Sequence, residues 1–188
     1  MEKFILDMKK IFIDGGARIG ESVEVLLNNR VDLTGCDVYF FECNPNHIET
    51  LENFKKVNNN FNFFVRNEAL WVQNEIRDFF ISIDQWGDLG CTLLSNKRER
   101  LDLNNPIKVS CIDISEFLNE FNNDDYIILK LDIEGAEYQV LRHMIDNGSI
   151  NKINELYVEF HDHFFNENSQ DLKKQLIEKN INCNFNWM

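Results

Sequence analysis

The sequence predicts an α/β fold, in which a mostly parallel central sheet is covered by helices on both faces. Short runs that are apolar throughout alternate with longer segments whose apolar residues recur at helical spacing. Strands of this kind are typical of parallel sheets that are buried on both faces. The chain has 188 residues, 44% of them hydrophobic, without an internal repeat or a Gly/Ser-rich linker. We therefore expect a single domain over residues 1–188.

The first half of the chain contains three predicted strands. Residues 10–14 (KIFID) lead through a glycine-rich turn into a helix at 20–29. Residues 37–42 (DVYFFE) form the second strand, and Asn44 is expected to cap the helix that follows. The third strand is predicted over 61–71 (FNFFVRNEALW), running into a loop.

The second half repeats the alternation with two irregular strands at its start. These are residues 77–83 and 106–114, and the DISE segment at 113–116 resembles a capping box that opens a helix. The remaining predicted elements are a strand, a helix, a strand, a helix and a strand, at 126–132, 136–148, 153–161, 169–180 and 183–187.

Charge and composition exclude several classes of partner. A net charge of -13 argues against a nucleic-acid backbone or an anionic membrane surface, because both favour a basic face. No apolar run approaches the length of a membrane helix, and charges interrupt the N-terminal segment too often for a signal peptide. Five cysteines without a CxxC pair indicate reduced thiols, so we expect a cytoplasmic protein.

Acidic residues and a histidine stand at the ends of predicted strands. In a parallel sheet these ends meet at one edge, where ligands bind at the point at which strand order reverses. After Asp14, the glycines Gly15, Gly16 and Gly20 allow a tight turn that can approach a ligand closely. Glu42, 28 residues after Asp14, can accept hydrogen bonds from the hydroxyls of a ribose, although it could instead only cap the next helix.

A polar loop follows the third predicted strand. Glu68 lies where an adenine amino group would arrive, and Ala69 and Leu70 could pack on the ring. An ordinary loop explains these residues equally well.

The stretch YIILKLDIEGAEYQVL (126–141) places Asp132 and Glu134 at a strand mouth. Carboxylates there cost desolvation energy unless a cation, a hydrogen-bond donor or water meets them. A purely electrostatic role at the next helix could explain Glu134 and Glu137, but it explains Asp132 less well. Asp132 and Glu134 are therefore candidate catalytic residues.

His161 ends the predicted strand next to Asp132 and could accept a proton near neutral pH. Glu159, His161 and His163 share strand parity, which leaves a metal site open, although we assign none from the sequence. The basic run KRER (97–100) reads as a solvated loop, with an anchor for an anionic substrate as the alternative.

With these residues in place, the sequence resembles the FkbM family of S-adenosylmethionine-dependent methyltransferases. The resemblance spans about residues 10–162, and LKLDIEGAEYQVL is its most specific part. It implies the seven-stranded, Rossmann-like class I methyltransferase fold, S-adenosylmethionine (AdoMet) as methyl donor, and O-methylation of a sugar or small natural product. The other matching segments are FIDGGARIGES, FFECNP, NEALW, CIDISEF and LYVEFH.

The resemblance also implies roles for individual positions. Asp132 would lie close to the reacting methyl group. Gly15 and Arg18 depart from the family pattern, which has valine and asparagine there. The implied AdoMet-binding positions are Asp14, Gly15, Gly16, Ala17 and Gly20 for the methionine part, Glu42, Cys43 and Asn44 around the ribose, and Glu68 and Ala69 at the adenine.

The sequence thus predicts an enzyme that moves a methyl group from AdoMet sulfur to a hydroxyl. The leaving thioether is neutral and needs no acid, so catalysis needs positioning and a base. Asp132 and His161 are the candidate bases, with Glu134 beside them. A nicotinamide-dependent oxidoreductase is disfavoured because the turn reads GGARIG instead of G-x-G-x-x-G. A degenerate methyltransferase domain acting as a binding or scaffold subunit is the alternative.

Overall fold

The computed structural model describes residues 8–58, 61–83, 87–98 and 100–186. Strands and helices alternate along these residues, with two short 3-10 helices at Gly87–Gly90 and Ser149–Lys152. The strands are β1 (Lys10–Gly15), β2 (Asp37–Phe41), β3 (Asn62–Arg66), β4 (Ala69–Trp71), β5 (Glu75–Phe79), β6 (Ile107–Asp113), β7 (Tyr126–Leu131), β8 (Ile153–Val158) and β9 (Asn182–Asn184). The α-helices are α1 (Glu21–Asn28), α2 (Pro45–Val57), α3 (Ile114–Leu118), α4 (Glu137–Asn147) and α5 (Gln170–Glu178).

The central sheet has the order β3-β2-β1-β7-β8-β9, and each neighbouring pair is parallel. Strand order reverses between β1 and β7, which opens a crevice beyond the carboxyl ends of these strands. The predicted α/β fold with a mostly parallel sheet is confirmed. Within the described residues this sheet has six strands, one fewer than the resemblance implies.

Both faces of the sheet are buried, as the uniformly apolar strands predict. In β1, Ile11 and Ile13 point into one hydrophobic cluster and Phe12 into the other, because successive side chains of a strand face opposite sides. Residues of α1 and α2 belong to the cluster around Phe12. Residues of α3, α4 and α5 belong to the cluster on the opposite face.

The segment 61–71 is not the single strand that its composition predicts. The chain leaves the central sheet after Arg66, and Ala69 begins β4, which pairs with Cys111 in β6. Together β4, β6 and β5 form a second, three-stranded sheet. The side chain of Asn67 donates a hydrogen bond to the carbonyl of Glu42 (2.9 Å) and so fixes the turn between the two sheets.

Other predicted boundaries shift at their ends. Strand β8 stops at Val158, so His161 lies three residues beyond it and not at the strand end itself. Asp113 caps helix α3, as the DISE segment predicts, but Glu116 accepts a hydrogen bond from Asn74 (2.6 Å) and the backbone N–H of Asp113 donates to Asn74 instead of to Glu116. Asn44 does cap α2, accepting from the backbone N–H of Asn46 (3.1 Å). Trp187, the last residue of the predicted final strand, lies outside the described residues.

None of the helices among the described residues combines the length and the apolar character that crossing a membrane requires.

Candidate functional site

A cavity of about 310 Å³ lies at the carboxyl ends of β1, β2 and β7, where the strand order reverses. Its volume falls at the lower end of the range for small-molecule sites. Nine of the residues predicted from the sequence line it: Gly16, Ala17, Glu42, Cys43, Asn44, Glu68, Ala69, Asp132 and Glu134.

The glycine-rich turn after β1 forms one wall of this cavity. The backbone N–H groups of Gly16 and Ala17 both donate to the carbonyl of Phe41 (3.0 and 3.1 Å), which ties the turn to the end of β2. Gly16 has φ 76°, and a Cβ there would lie 1.9 Å from the carbonyl oxygen of Asp132. Only glycine therefore lets this turn approach the mouth of β7 so closely.

Asp14 lies beneath the turn and not on the cavity wall. It is fully buried, accepts a short hydrogen bond from Ser22 and pairs with the ammonium of Lys130 at 3.1 Å. Gly15 and Gly20 are also buried next to the wall without lining it. These three predicted residues thus support the turn from within.

Lys130 is a cavity residue that the sequence analysis missed. Its ammonium donates to the carbonyls of Gly15 (3.2 Å) and Gly16 (2.9 Å) and lies 3.8 Å from Asp132. Burial acts to lower the pKa of Lys130, but the charges of Asp14 and Asp132 outweigh it and raise that pKa. The signal was present in the sequence, because a lysine inside an apolar strand needs buried partners.

Glu42 follows β2 and is held by two backbone N–H groups. One carboxylate oxygen accepts from Asn44 (2.7 Å) and the other from Arg18 (2.8 Å), while the residue is only 7% exposed. Burial raises the pKa of Glu42, partly offset by these two hydrogen bonds. The predicted capping of α2 is carried out by Asn44, so the carboxylate of Glu42 is not needed for that purpose.

Arg18 lies next to Glu42 on the cavity wall and takes part in a network of charged side chains. Its backbone is left-handed at φ 47°, a conformation that asparagine adopts more readily than arginine. Its guanidinium pairs with Glu21 at 2.9 Å and lies 3.9 Å from Asp88, which in turn lies 3.1 Å from His47. No sequence pattern pointed to His47 or Asp88, since they come from separate parts of the chain.

Apolar side chains form another part of the cavity wall, which also contains one charged pair. Glu68 accepts a hydrogen bond from the guanidinium of Arg66 at 2.7 Å. A flat, apolar ring system here would contact side chains from the three-stranded sheet, from the 3-10 helix Gly87–Gly90 and from the loop that follows it. The apolar side chains are Ala69, Leu70, Phe79, Leu89 and Leu93.

Asp132 and Glu134 project from the turn after β7. The carboxylate of Glu134 pairs with the buried ammonium of Lys97 at 2.7 Å. Burial raises the pKa of Glu134 to about 7, although the charges of His161 and Lys97 act to lower it. A purely electrostatic role at α4 is therefore wrong for Glu134. The solvated-loop interpretation of KRER is wrong for Lys97, whereas Arg98 and Arg100 are exposed and Glu99 lies outside the described residues.

His161 lies behind these two carboxylates and does not line the cavity. Its Nδ1 is 2.5 Å from Oε1 of the fully buried Glu137, and its Nε2 faces Asp132 at 3.7 Å. Burial acts to lower the pKa of His161, but the hydrogen bond and charge of Glu137, with Glu134 and Asp132, raise it to about 9. Without a cation bound at Nε2, this pKa favours the protonated imidazole at neutral pH.

All five cysteines are unpaired, as the sequence predicts. Cys43 lines the cavity, and burial raises the pKa of its thiol well above the usual value. Its thiol therefore stays protonated and acts as a small apolar surface.

Comparison with known proteins gives two matches and one negative result. Residues 14–185 match the family model described as the methyltransferase FkbM domain. The solved structure of methyltransferase FkbM from Methylobacillus flagellatus KT superposes with a TM-score of 0.53 at 16% identity. The superposition covers 92% of this chain but only 37% of that protein, so this chain spans little more than a third of its length. The comparison with curated proteins gave no match.

Proposed function

The chain belongs to the FkbM methyltransferase family, and we propose on that basis that it transfers a methyl group from AdoMet to a hydroxyl group. The observation that carries the proposal is the cavity at the reversal of strand order, which brings Glu42 and the glycine-rich turn together. Ligands of parallel α/β sheets bind at this position.

Glu42 would bind the ribose of AdoMet. Its two oxygens are already fixed by the N–H groups of Arg18 and Asn44, and each retains capacity to accept from a ribose hydroxyl. The carboxylate is thus oriented before the ligand arrives, which lowers the entropy lost on binding. The turn at Gly16 and Ala17 would lie along the methionine part.

The apolar part of the cavity wall would hold the adenine. Ala69, Leu70 and Phe79 supply contact surface, and Glu68 at the border would accept from the amino group. This orientation leaves the sulfur end of AdoMet near Asp132, because Gly16 and Asp132 are in close approach.

The reaction would be an in-line displacement. The carbon–sulfur bond to the methyl group breaks, a carbon–oxygen bond to the acceptor forms, and S-adenosylhomocysteine leaves as a neutral thioether. The acceptor hydroxyl loses its proton, for which Asp132 is our first choice because it lines the cavity. His161 lies behind Asp132, with Nε2 3.7 Å from its carboxylate, so it would position Asp132.

The acceptor that we propose is a hydroxyl of a sugar or small natural product, as the family resemblance implies. We propose a cytoplasmic location on the grounds of five unpaired thiols, which suit a reducing compartment.

Thermal unfolding with AdoMet, S-adenosylhomocysteine or NAD tests the donor site. A ligand at about 100 times its Kd adds roughly 2.7 kcal/mol, which raises the Tm of a domain of this size by about 5–10 °C. We expect this shift with both sulfur ligands, no shift with NAD, and loss of the shift in Glu42→Ala. Glu49→Ala is the matched control, since Glu49 is exposed on α2.

Absence of any shift in folded protein would overturn the proposal. It would favour the degenerate scaffold, in which the contacts of Arg18 and Asp88 would fill the methionine end of the cavity.

A further inference from the structure

We infer that the chain binds one divalent metal ion of the Mn²⁺ or Mg²⁺ type between His161 Nε2 and the carboxylates of Asp132, Glu134 and Glu159. Binding of the ion does not depend on the proposed function. Its role in the reaction, given below, does rest on that function.

The distances around Nε2 fit a shared ion better than direct hydrogen bonds. Oxygens of Glu134, Asp132 and Glu159 lie 3.5, 3.7 and 3.9 Å from Nε2. Contacts of this length are too long for good hydrogen bonds. Two ligands that bind one ion at about 2.0–2.2 Å are themselves about 3–4.4 Å apart.

The imidazole is already oriented as a ligand would be. The carboxylate of Glu137, buried at the start of α4, meets Nδ1 at 2.5 Å and so directs Nε2 toward the three carboxylates. Histidines that bind metals usually donate their other N–H to a carboxylate in this way. Asp132 and His161, two of the proposed ligands, have ligand atoms within 4.8 Å of each other and of Glu137, the carboxylate that orients the imidazole.

Two buried carboxylate oxygens in this cluster lack a partner. Among the described residues, neither Glu137 Oε2 nor Glu159 Oε2 has a hydrogen-bond donor, and Glu137 is fully buried. A buried carboxylate oxygen without a donor or cation is costly. An ion bound by both oxygens of Glu159 would give Oε2 of that residue a cation, and its charge would also stabilise the nearby carboxylate of Glu137, which is not itself a ligand.

The balance of charge points the same way. Among the described residues, the five carboxylates of Asp14, Asp132, Glu134, Glu137 and Glu159 are paired with at most three cations, Lys97, Lys130 and His161. Lys130 is closer to Asp14 (3.1 Å) than to Asp132 (3.8 Å). The ligand set has one imidazole and several hard oxygens, which favours Mn²⁺ or Mg²⁺ over ions that prefer sulfur.

This ligand set differs from Glu159, His161 and His163, the three residues that strand parity groups together in the sequence. His163 is exposed and its ring lies against Phe164 at 3.8 Å, so it takes no part. With the ion in place beside Asp132 on the cavity wall, an acceptor oxygen could bind to it. Its proton would then pass to Asp132 more readily, because a bound cation lowers the pKa of a hydroxyl.

Titration of the chelator-treated full chain with Mn²⁺, followed by electron paramagnetic resonance, tests the inference. We expect one ion per chain, displaced by Mg²⁺. His161→Asn should abolish binding, and Glu159→Gln should weaken it at least about tenfold. His163→Asn and Glu49→Gln are the matched controls, because both residues are exposed and outside the cluster, and both should bind as the unchanged chain does.

The inference is overturned if the folded, unchanged chain binds no Mn²⁺ up to about 1 mM, or if Glu159→Gln binds with unchanged affinity. Circular dichroism shows which variants are folded, and Glu159→Gln decides the question if His161→Asn does not fold. AdoMet binding measured on the same samples separates the two proposals. Mn²⁺ binding without AdoMet binding leaves the metal site standing and removes the proposed function.

Discussion

Replacing Lys130 by methionine tests whether the buried ion pair beneath the cavity stabilises the fold. Lys130 is 2% exposed and Asp14 0%, and their charged atoms are 3.1 Å apart. Methionine keeps much of the side-chain volume but leaves the carboxylate of Asp14 buried without its cation. Removing one partner of a buried pair costs about 3–5 kcal/mol. For a domain of 150–250 residues each kcal/mol lowers Tm by about 2–4 °C, so we expect a fall of about 6–20 °C.

Denaturant unfolding and calorimetry measure this change, and Lys174→Met is the matched control. Lys174 lies 4.0 Å from Glu178 with its side chain 76% exposed, so its loss should cost less than about 0.5 kcal/mol. Combining Asp14→Asn with Lys130→Met removes both charges, and this double variant should be more stable than Lys130→Met alone. A folded Lys130→Met protein within about 1 kcal/mol of the unchanged chain would refute the reasoning.

Two further predictions concern the proposed AdoMet site. Gly16→Ala should weaken AdoMet binding at least about tenfold. It should also destabilise the chain by more than the roughly 1–2 kcal/mol that a left-handed backbone costs a residue with a Cβ. Gly35→Ala is the control, because Gly35 has φ 73° but no atom within 4 Å of the added Cβ, so only the backbone strain should remain. Equal effects of the two substitutions in thermal unfolding would contradict this. Because burial raises the pKa of Glu42, this residue takes up its proton at a higher pH than an ordinary glutamate, so AdoMet affinity should fall as the pH is lowered below neutral. Calorimetric titration with AdoMet at several pH values measures this fall. The Glu42→Gln variant should bind AdoMet weakly at every pH and show no such fall. A constant affinity in the unchanged chain would count against the role of Glu42.

The fold class could be predicted because its determinants are local. Mainly apolar strands such as β1 and β7, in which Asp14 and Lys130 are the buried charged exceptions, are typical of sheets buried on both faces, and amphipathic helices follow each of them. The segment 61–71 misled because its apolar residues look the same in either sheet. The switch after Arg66 depends on pairing with Cys111, about forty residues away, which no local pattern reveals.

The candidate site was predictable only in part, for a similar reason. Glu42 and Asp132 follow strands directly, so topology alone brings them to one edge. Asp88 reaches the cavity from a short 3-10 helix, and Lys97 reaches Glu134 on the cavity wall from a loop, so the contacts of both depend on tertiary packing. His161 was expected at the edge, yet the chain continues beyond β8 and its imidazole turns to Glu137 in the interior.

The pairing of β1 with β7 has a consequence for how the protein is made. The hydrogen bond from Lys130 to Gly15 joins residues 115 positions apart, so a large loop must close before it forms. Such long-range contacts form slowly. During synthesis, a nascent chain that has emerged only as far as α3 would already contain Glu42 and the glycine-rich turn, but not Lys130 or Asp132. Small-molecule binding would therefore begin only after β7 has left the ribosome, and it would report the completion of folding.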